Sequence, residues 1–121
     1  MYKRLYEKLG YHIRTASNGH DGLKILSAFG ADAVIVDYEM PEMDGGILTQ
    51  SIKKLWPTLP VIMFSACVTV PRHITHLLDA FCDKADGREC LHLAIRKVLE
   101  KRHSLSATSS IGIQPGRLAA M

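Results

Sequence analysis

The chain has 121 residues, of which 47% are hydrophobic and 22% charged, with a net charge of +3. This length suits one globular domain, and no apolar stretch approaches the roughly 20 residues needed to span a bilayer. The charge is small and no basic run is interleaved with aromatic residues, which argues against nucleic-acid binding. The three cysteines, Cys67, Cys82 and Cys90, lack metal or redox spacing, so we expect reduced thiols in a cytoplasmic protein.

Apolar periodicity and chain breakers predict alternating helices and strands up to residue 101. In chain order, the pattern predicts a helix over 2–9, a strand over 11–15, a helix between Asn18 and Gly30, a strand over 33–37, a helix through Leu48 to Leu55, a strand over 59–64, a helix over 71–78, a strand over 80–82 and a helix over 86–101. This alternation predicts right-handed crossovers and a parallel sheet with helices on both faces. The Ser-, Thr-, Gly- and Pro-containing segment 104–121 is predicted to be a flexible tail.

Three polar residues each follow a predicted strand: Asp37, Ser65 and Lys84. Because the carboxyl ends of parallel strands meet at one edge of the sheet, we expect these side chains to converge. A carboxylate can attack phosphorus as a nucleophile, an ammonium can balance charge on phosphoryl oxygens, and a hydroxyl can donate a hydrogen bond. The set therefore predicts phosphoryl transfer.

The run from Ala33 to Gly45 reads AVIVDYEMPEMDG, and it resembles the phosphoacceptor segment of response-regulator receiver domains. The resemblance covers residues 1 to about 102 and implies a flavodoxin-like, doubly wound parallel sheet. It divides the chain into a receiver domain over 1–103, incomplete at its N-terminus, and the tail over 104–121.

The resemblance also implies roles for individual residues. Asp37 is the expected phosphoacceptor, and Ser65 and Lys84 complete the catalytic set. Phe81 matches the family's rotating switch aromatic, three residues before Lys84. The expected loop-shaping residues are Met40, Pro41 and Gly45. Magnesium is expected to bind the carboxylate of Asp37 and the backbone carbonyl of Glu39.

The implied function is two-component signalling rather than enzymatic turnover. Asp37 would accept a phosphoryl group from a histidine kinase or phosphotransfer protein. Phosphorylation would draw Ser65 inward, Phe81 would follow, and the surface formed by 71–78, 80–82 and 86–101 would change its preference for a downstream protein. Neither nucleic acid nor a membrane is an expected partner, and whether a homodimer forms stays open.

The match fails at the family's first strand and the acidic pair that ends it, because neither precedes residue 11 in this sequence. Without that pair, we expect magnesium to bind weakly. Without the strand, which lies between 11–15 and 33–37 in the family, we expect a gap in the core. Three explanations stay open: an upstream part lost when the start was assigned, a degenerate receiver, or another segment such as 110–113 in the gap, although its glycine suits a central strand poorly.

Two alternative functions follow from these departures. The chain is either a phosphoacceptor or a degenerate receiver that acts as a protein-binding module without phosphorylation. A phosphohydrolase is disfavoured, because Glu39 stands two residues after Asp37 where that class has a second aspartate. Two smaller departures are the short stretch from Ser65 to Lys84, which predicts a stunted 71–78 helix, and Ala85, which stands where the family usually has proline.

Overall fold

The computed structural model describes residues 2–40, 42–66, 69–105 and 116–121, without the side chains of residues 2, 3, 5 and 102–105. The strands are β1 (His12–Thr15), β2 (Ala33–Val36), β3 (Val61–Ser65), β4 (Ala80–Asp83) and β5 (Arg117–Ala120). The helices are α1 (Tyr2–Lys8), α2 (Gly19–Phe29), α3 (Gly45–Leu55), α4 (Arg72–Thr75) and α5 (Gly87–Leu105), with a 3₁₀ turn over Lys84–Asp86. No helix among the described residues is long and apolar enough to cross a membrane.

All strand pairs are parallel, and the strand order is β1-β5-β2-β3-β4. This arrangement confirms the predicted parallel sheet. The four strands expected from sequence lie in the sheet, and α4 is reduced to four residues, in keeping with the predicted shortening. The range 71–78 predicted for this helix is nevertheless too long, because only Arg72–Thr75 are helical.

The C-terminal strand corrects two of the expectations. β5 lies between β1 and β2, the position of the family's first strand, so residues 117–120 are not a flexible tail and the predicted gap in the sheet is filled. Leu118 pairs with Ile13 of β1 and with Ala33 of β2. Because β1 pairs with no other described strand, β5 joins it to the rest of the sheet. The other proposed filler, 110–113, lies outside the described residues.

Helices cover both faces of the sheet, as predicted. On one face, α1 and α5 pack over strand residues that include Ile35, Ile62 and Leu118. On the opposite face, α2 and α3 pack over the alternate strand residues, including Val34 and Ala119. Strand β2 is buried on both sides, which explains why Ala33–Val36 is a continuous apolar run instead of an alternating one.

Candidate functional site

Asp37, Ser65 and Lys84 meet at the carboxyl edge of the sheet. Asp37 directly follows β2, Ser65 ends β3, and Lys84 directly follows β4. The Ser65 hydroxyl donates to Asp37 Oδ1 at 3.1 Å, and Lys84 Nζ donates to Asp37 Oδ2 at 2.5 Å. Ser65 is buried, whereas the side chains of Asp37 and Lys84 are 29% and 42% exposed. The carboxylate is thus partly open to solvent and flanked by one neutral and one cationic side-chain donor.

The backbone of Asp37 is held by β5. The Asp37 N–H donates to the carbonyl of Met121 at 2.8 Å, and the Met121 N–H donates to the carbonyl of Ile35 at 2.9 Å. The side chain is restrained as well, because the N–H of Glu39 donates to Asp37 Oδ1 at 3.1 Å. The C-terminal strand therefore helps to place the carboxylate. Sequence reasoning missed this contact, since no local motif links residues so far apart in the chain.

The loop after Asp37 folds back tightly through Gly45. The Gly45 N–H donates to the carbonyl of Tyr38 at 2.7 Å, and Asp44 caps α3 by accepting from the N–H of Ile47 at 2.8 Å. A Cβ at position 45 would clash with the carbonyl oxygen of Asp37 and would lie 2.6 Å from the Cα of Tyr38. Only glycine permits this approach of the loop to the residue that carries the carboxylate.

Gly45→Ala is accordingly expected to lower the free energy of unfolding by roughly 1–3 kcal/mol, because backbone atoms must move to admit the methyl group. Urea denaturation followed by circular dichroism measures this change. Ser27→Ala is the control, because Ser27 is an exposed residue of α2 and such surface substitutions usually change stability by less than about 0.5 kcal/mol. Equal unfolding midpoints for Gly45→Ala and the wild type would show that the loop is not tightly constrained.

The remaining predicted residues occupy less central positions. Phe81 of β4 is 42% exposed. Met40 is half-buried and packs against the core between the sheet and α2 and α3. Pro41 lies outside the described residues. Ala85, in place of the family's proline, donates its N–H to Asp83 Oδ1 at 2.8 Å, a hydrogen bond that proline cannot make.

A pocket of about 300 Å³ opens beside Asp37 and Lys84. Its walls are mainly apolar and include Phe64, Leu91 and Ala120. The backbone of β5 fills the expected gap, but the small side chain of Ala120 leaves space at this end of the strand. The carboxylate consequently borders an open volume rather than packed side chains.

The described residues fit a magnesium ion poorly. Both oxygens of Asp37 already accept hydrogen bonds, and the side chains at the neighbouring end of β5, those of Ala120 and Met121, are apolar rather than acidic. A thioether such as that of Met121 is a soft ligand that does not suit magnesium. Across the described ranges, no group of three or more His, Cys, Asp or Glu side chains is arranged to hold a metal ion.

Comparison with known proteins decides the family. A family model described as the response regulator receiver domain matches residues 1–83. The chain belongs to the response-regulator receiver family. Receivers act in phosphorelay signalling through an aspartyl phosphate, generally bind Mg²⁺, and interact with histidine kinases or phosphotransfer proteins and with downstream effectors. The family is generally not enzymatic.

Two curated relatives are similar to parts of the chain. The transcriptional regulatory protein GlrR of Escherichia coli K12 is 35% identical over 95 residues, which cover 76% of this chain and 21% of GlrR. The sensor histidine kinase RcsC of the same strain is 50% identical over 58 residues, 48% of this chain and 6% of RcsC. This receiver thus spans about one fifth of the length of GlrR and less of RcsC.

Solved structures agree with the fold. A receiver domain from Clostridium thermocellum has a TM-score of 0.76 and 26% identity, covering 85% of this chain and 86% of that one. The response regulator TrrA of Thermotoga maritima, solved in complex with Mg²⁺–BeF, has a TM-score of 0.75 and 28% identity, covering 80% of this chain and 85% of that one.

Proposed function

We propose that this receiver accepts a phosphoryl group on Asp37 from a histidine kinase or phosphotransfer protein and then changes its preference for a downstream protein. The observation that carries the proposal is the contact of one carboxylate with both Ser65 and Lys84. A partly exposed aspartate with a purely structural role would not need both the ammonium of Lys84 and the hydroxyl of Ser65, which come from the ends of two other strands. A cytoplasmic location stays a prediction.

In the proposed reaction, a carboxylate oxygen of Asp37 attacks the phosphorus of a phosphohistidine, the P–N bond breaks, and the imidazole leaves. The product is an acyl phosphate on Asp37. Lys84 transfers its ammonium contact from the carboxylate to the phosphoryl oxygens, where negative charge develops. Ser65, buried and already 3.1 Å from Asp37 Oδ1, needs only a short movement to donate to the phosphoryl group.

The proposed response lies on β4 and its neighbours α4 and α5. Phe81, exposed on β4, would turn inward as Ser65 moves toward the phosphoryl group. Because Phe81 and Lys84 are three residues apart at the end of one strand, movement at the phosphoryl group and movement at this surface are mechanically linked.

For the metal, we propose that magnesium binds only weakly, through the Asp37 carboxylate and the Glu39 carbonyl. A hard dication prefers several oxygen ligands, and no group of three or more His, Cys, Asp or Glu side chains among the described residues is arranged to hold a metal ion. The dependence of phosphorylation on magnesium concentration would reveal such weak binding as incomplete saturation at concentrations that saturate receivers with an acidic pair.

The direct test is the intact mass of the full chain after incubation with magnesium and phosphoramidate. We expect the wild type to gain one phosphoryl group and Asp37→Asn to gain none. Asp32→Asn is a matched control, since Asp32 lies at the amino end of β2 and is similarly exposed (34% against 29%). It should be phosphorylated like the wild type. A folded wild type that gains no phosphoryl group under these conditions would contradict the proposal.

A second candidate function is the degenerate receiver that binds a protein without being phosphorylated. The observation that favours it is the end of β5, where the side chains beside Asp37 are those of Ala120 and Met121 and neither is acidic. This candidate predicts that partner binding is the same for the wild type and Asp37→Asn, with or without phosphoramidate.

A further inference from the structure

Two thiols lie side by side between β4 and α5. Cys82, in β4, is 2% exposed, and Cys90, in the first turn of α5, is half-buried. Their sulfur atoms are 2.9 Å apart. Both residues border a surface cavity of about 570 Å³, which small solutes can enter. The sequence gives no hint of this pair, because its eight-residue separation matches no redox motif.

The geometry is close to that of a disulfide. A disulfide requires sulfurs about 2.0 Å apart, so these atoms need to approach by less than about 1 Å. The elements that carry them are joined directly by the turn Lys84–Asp86, so the ring that closes is small. We therefore expect side-chain rotation within the folded domain to close the bond without a strand leaving the sheet.

We propose that Cys82 and Cys90 are a redox-modification site that hydrogen peroxide oxidises to an intramolecular disulfide. Cys90 attacks one peroxide oxygen, the O–O bond breaks, and the products are a sulfenic acid on Cys90 and one water. The sulfur of Cys82 then attacks the sulfur of Cys90, and the hydroxyl group leaves with the Cys82 proton as a second water. Two thiols are oxidised, and one peroxide is reduced to two waters.

The order of the two steps follows from the surroundings of each thiol. Cys90 is the more accessible sulfur, so peroxide meets it first. Burial, together with the contact with Cys90, raises the pKa of the Cys82 thiol to about 12. Cys82 is thus a poor nucleophile toward dissolved peroxide, because the thiolate is the reactive form, and its attack on the Cys90 sulfenic acid relies on the short distance between the two sulfurs. Held 2.9 Å away, it is instead placed to resolve the sulfenic acid.

The disulfide would fasten β4 to the first turn of α5. Cys82 lies next to the exposed Phe81 and two residues before Lys84. The bond would therefore restrain the strand that joins the phosphoacceptor site to the exposed β4–α5 surface. Formation of the disulfide does not depend on phosphorylation of Asp37, so the two proposals can fail separately.

The test uses the full chain with the substitution Cys67→Ser, which leaves Cys82 and Cys90 as the two remaining cysteines. The folded protein is treated with one equivalent of hydrogen peroxide, denatured, alkylated with N-ethylmaleimide and weighed by mass spectrometry. We expect the loss of two hydrogens, no alkylation, a peptide that links residues 82 and 90, and reversal by dithiothreitol. Cys90→Ser, which keeps the buried Cys82, should form no intramolecular disulfide while retaining its circular dichroism spectrum.

A parallel oxidation in concentrated urea separates native geometry from simple proximity in sequence. Because the fold holds the sulfurs together, we expect the disulfide to form about tenfold faster, or more, in the folded protein. Three results would overturn the proposal: equal rates in the two conditions, full alkylation after oxidation of the folded protein, or a Cys90 that stops as a sulfenic or sulfinic acid.

Discussion

Removal of residues 116–121 is expected to leave the chain without a stable fold. The deletion takes an interior strand out of the sheet and leaves β1 without its strand partner. It also removes backbone hydrogen bonds to Asp37, Asp32 and Ala16, each 2.8 to 2.9 Å long. Unpaired buried peptide groups and a lost apolar strand together exceed the 5–15 kcal/mol that typically stabilises a small domain.

Two point variants test the same strand without shortening the chain. Leu118 is 2% exposed, so Leu118→Ala should lower the free energy of unfolding by about 2–5 kcal/mol. Arg117 is the matched control on the neighbouring position, because its side chain is 58% exposed and its ion pair with Asp32 spans 3.7 Å. Arg117→Ala should cost at most about 1 kcal/mol.

Circular dichroism of the deletion variant and urea denaturation of the point variants are the measurements. A deletion variant with native ellipticity and cooperative unfolding would show that β5 adds little to the domain. Leu118→Ala and Arg117→Ala of equal stability would lead to the same conclusion.

The four expected strands could be predicted because each has a local signal. The segments 33–36 and 61–64 are continuous apolar runs bounded by breakers, as buried parallel strands are. β5 has no comparable signal. Arg117–Ala120 is short, contains two alanines, which favour strands weakly, and follows a segment rich in glycine and serine. Its place in the sheet depends on β1 and β2, which both need a partner, and only tertiary structure reveals this.

Some features of the candidate site could likewise be predicted from local sequence, whereas others depend on tertiary structure. Asp37, Ser65 and Lys84 were predicted to converge because each follows a strand, and parallel strands end at one edge. The hydrogen bond from Asp37 to the carbonyl of Met121 could not be predicted, since it depends on where β5 lies. Likewise, the contact between Cys82 and Cys90 depends on how α5 packs against β4, which residue spacing does not encode.

Lys84→Met is expected to slow phosphorylation of Asp37 by about 10²–10³-fold. The ammonium lies 2.5 Å from Asp37 Oδ2 and is the cation placed to meet charge on the phosphoryl oxygens. Methionine keeps most of the length of the side chain but carries no charge. The loss of folding stability should be small, about 1 kcal/mol or less, because both members of this ion pair are partly exposed.

Lys53→Met is a control for which we expect the opposite result, namely a loss of folding stability without a change in the phosphorylation rate. Lys53, in α3, also pairs with an aspartate, Asp79, at 2.8 Å, but its ammonium lies near the amino ends of β3 and β4 and its side chain is only 17% exposed. It donates to the carbonyl of Leu59 at 2.9 Å as well. We expect Lys53→Met to lower the free energy of unfolding by about 1–3 kcal/mol and to leave the phosphorylation rate unchanged.

The rates are measured by intact mass at several times after phosphoramidate is added, and the stabilities by urea denaturation. Phosphorylation rates of Lys84→Met and the wild type within a few-fold of each other would refute the role assigned to the ammonium. Equal slowing by Lys84→Met and Lys53→Met would attribute the effect to a general loss of stability. Slowing confined to Lys84→Met would instead locate the effect at the carboxyl edge, because the control removes the same charge from the opposite edge of the sheet.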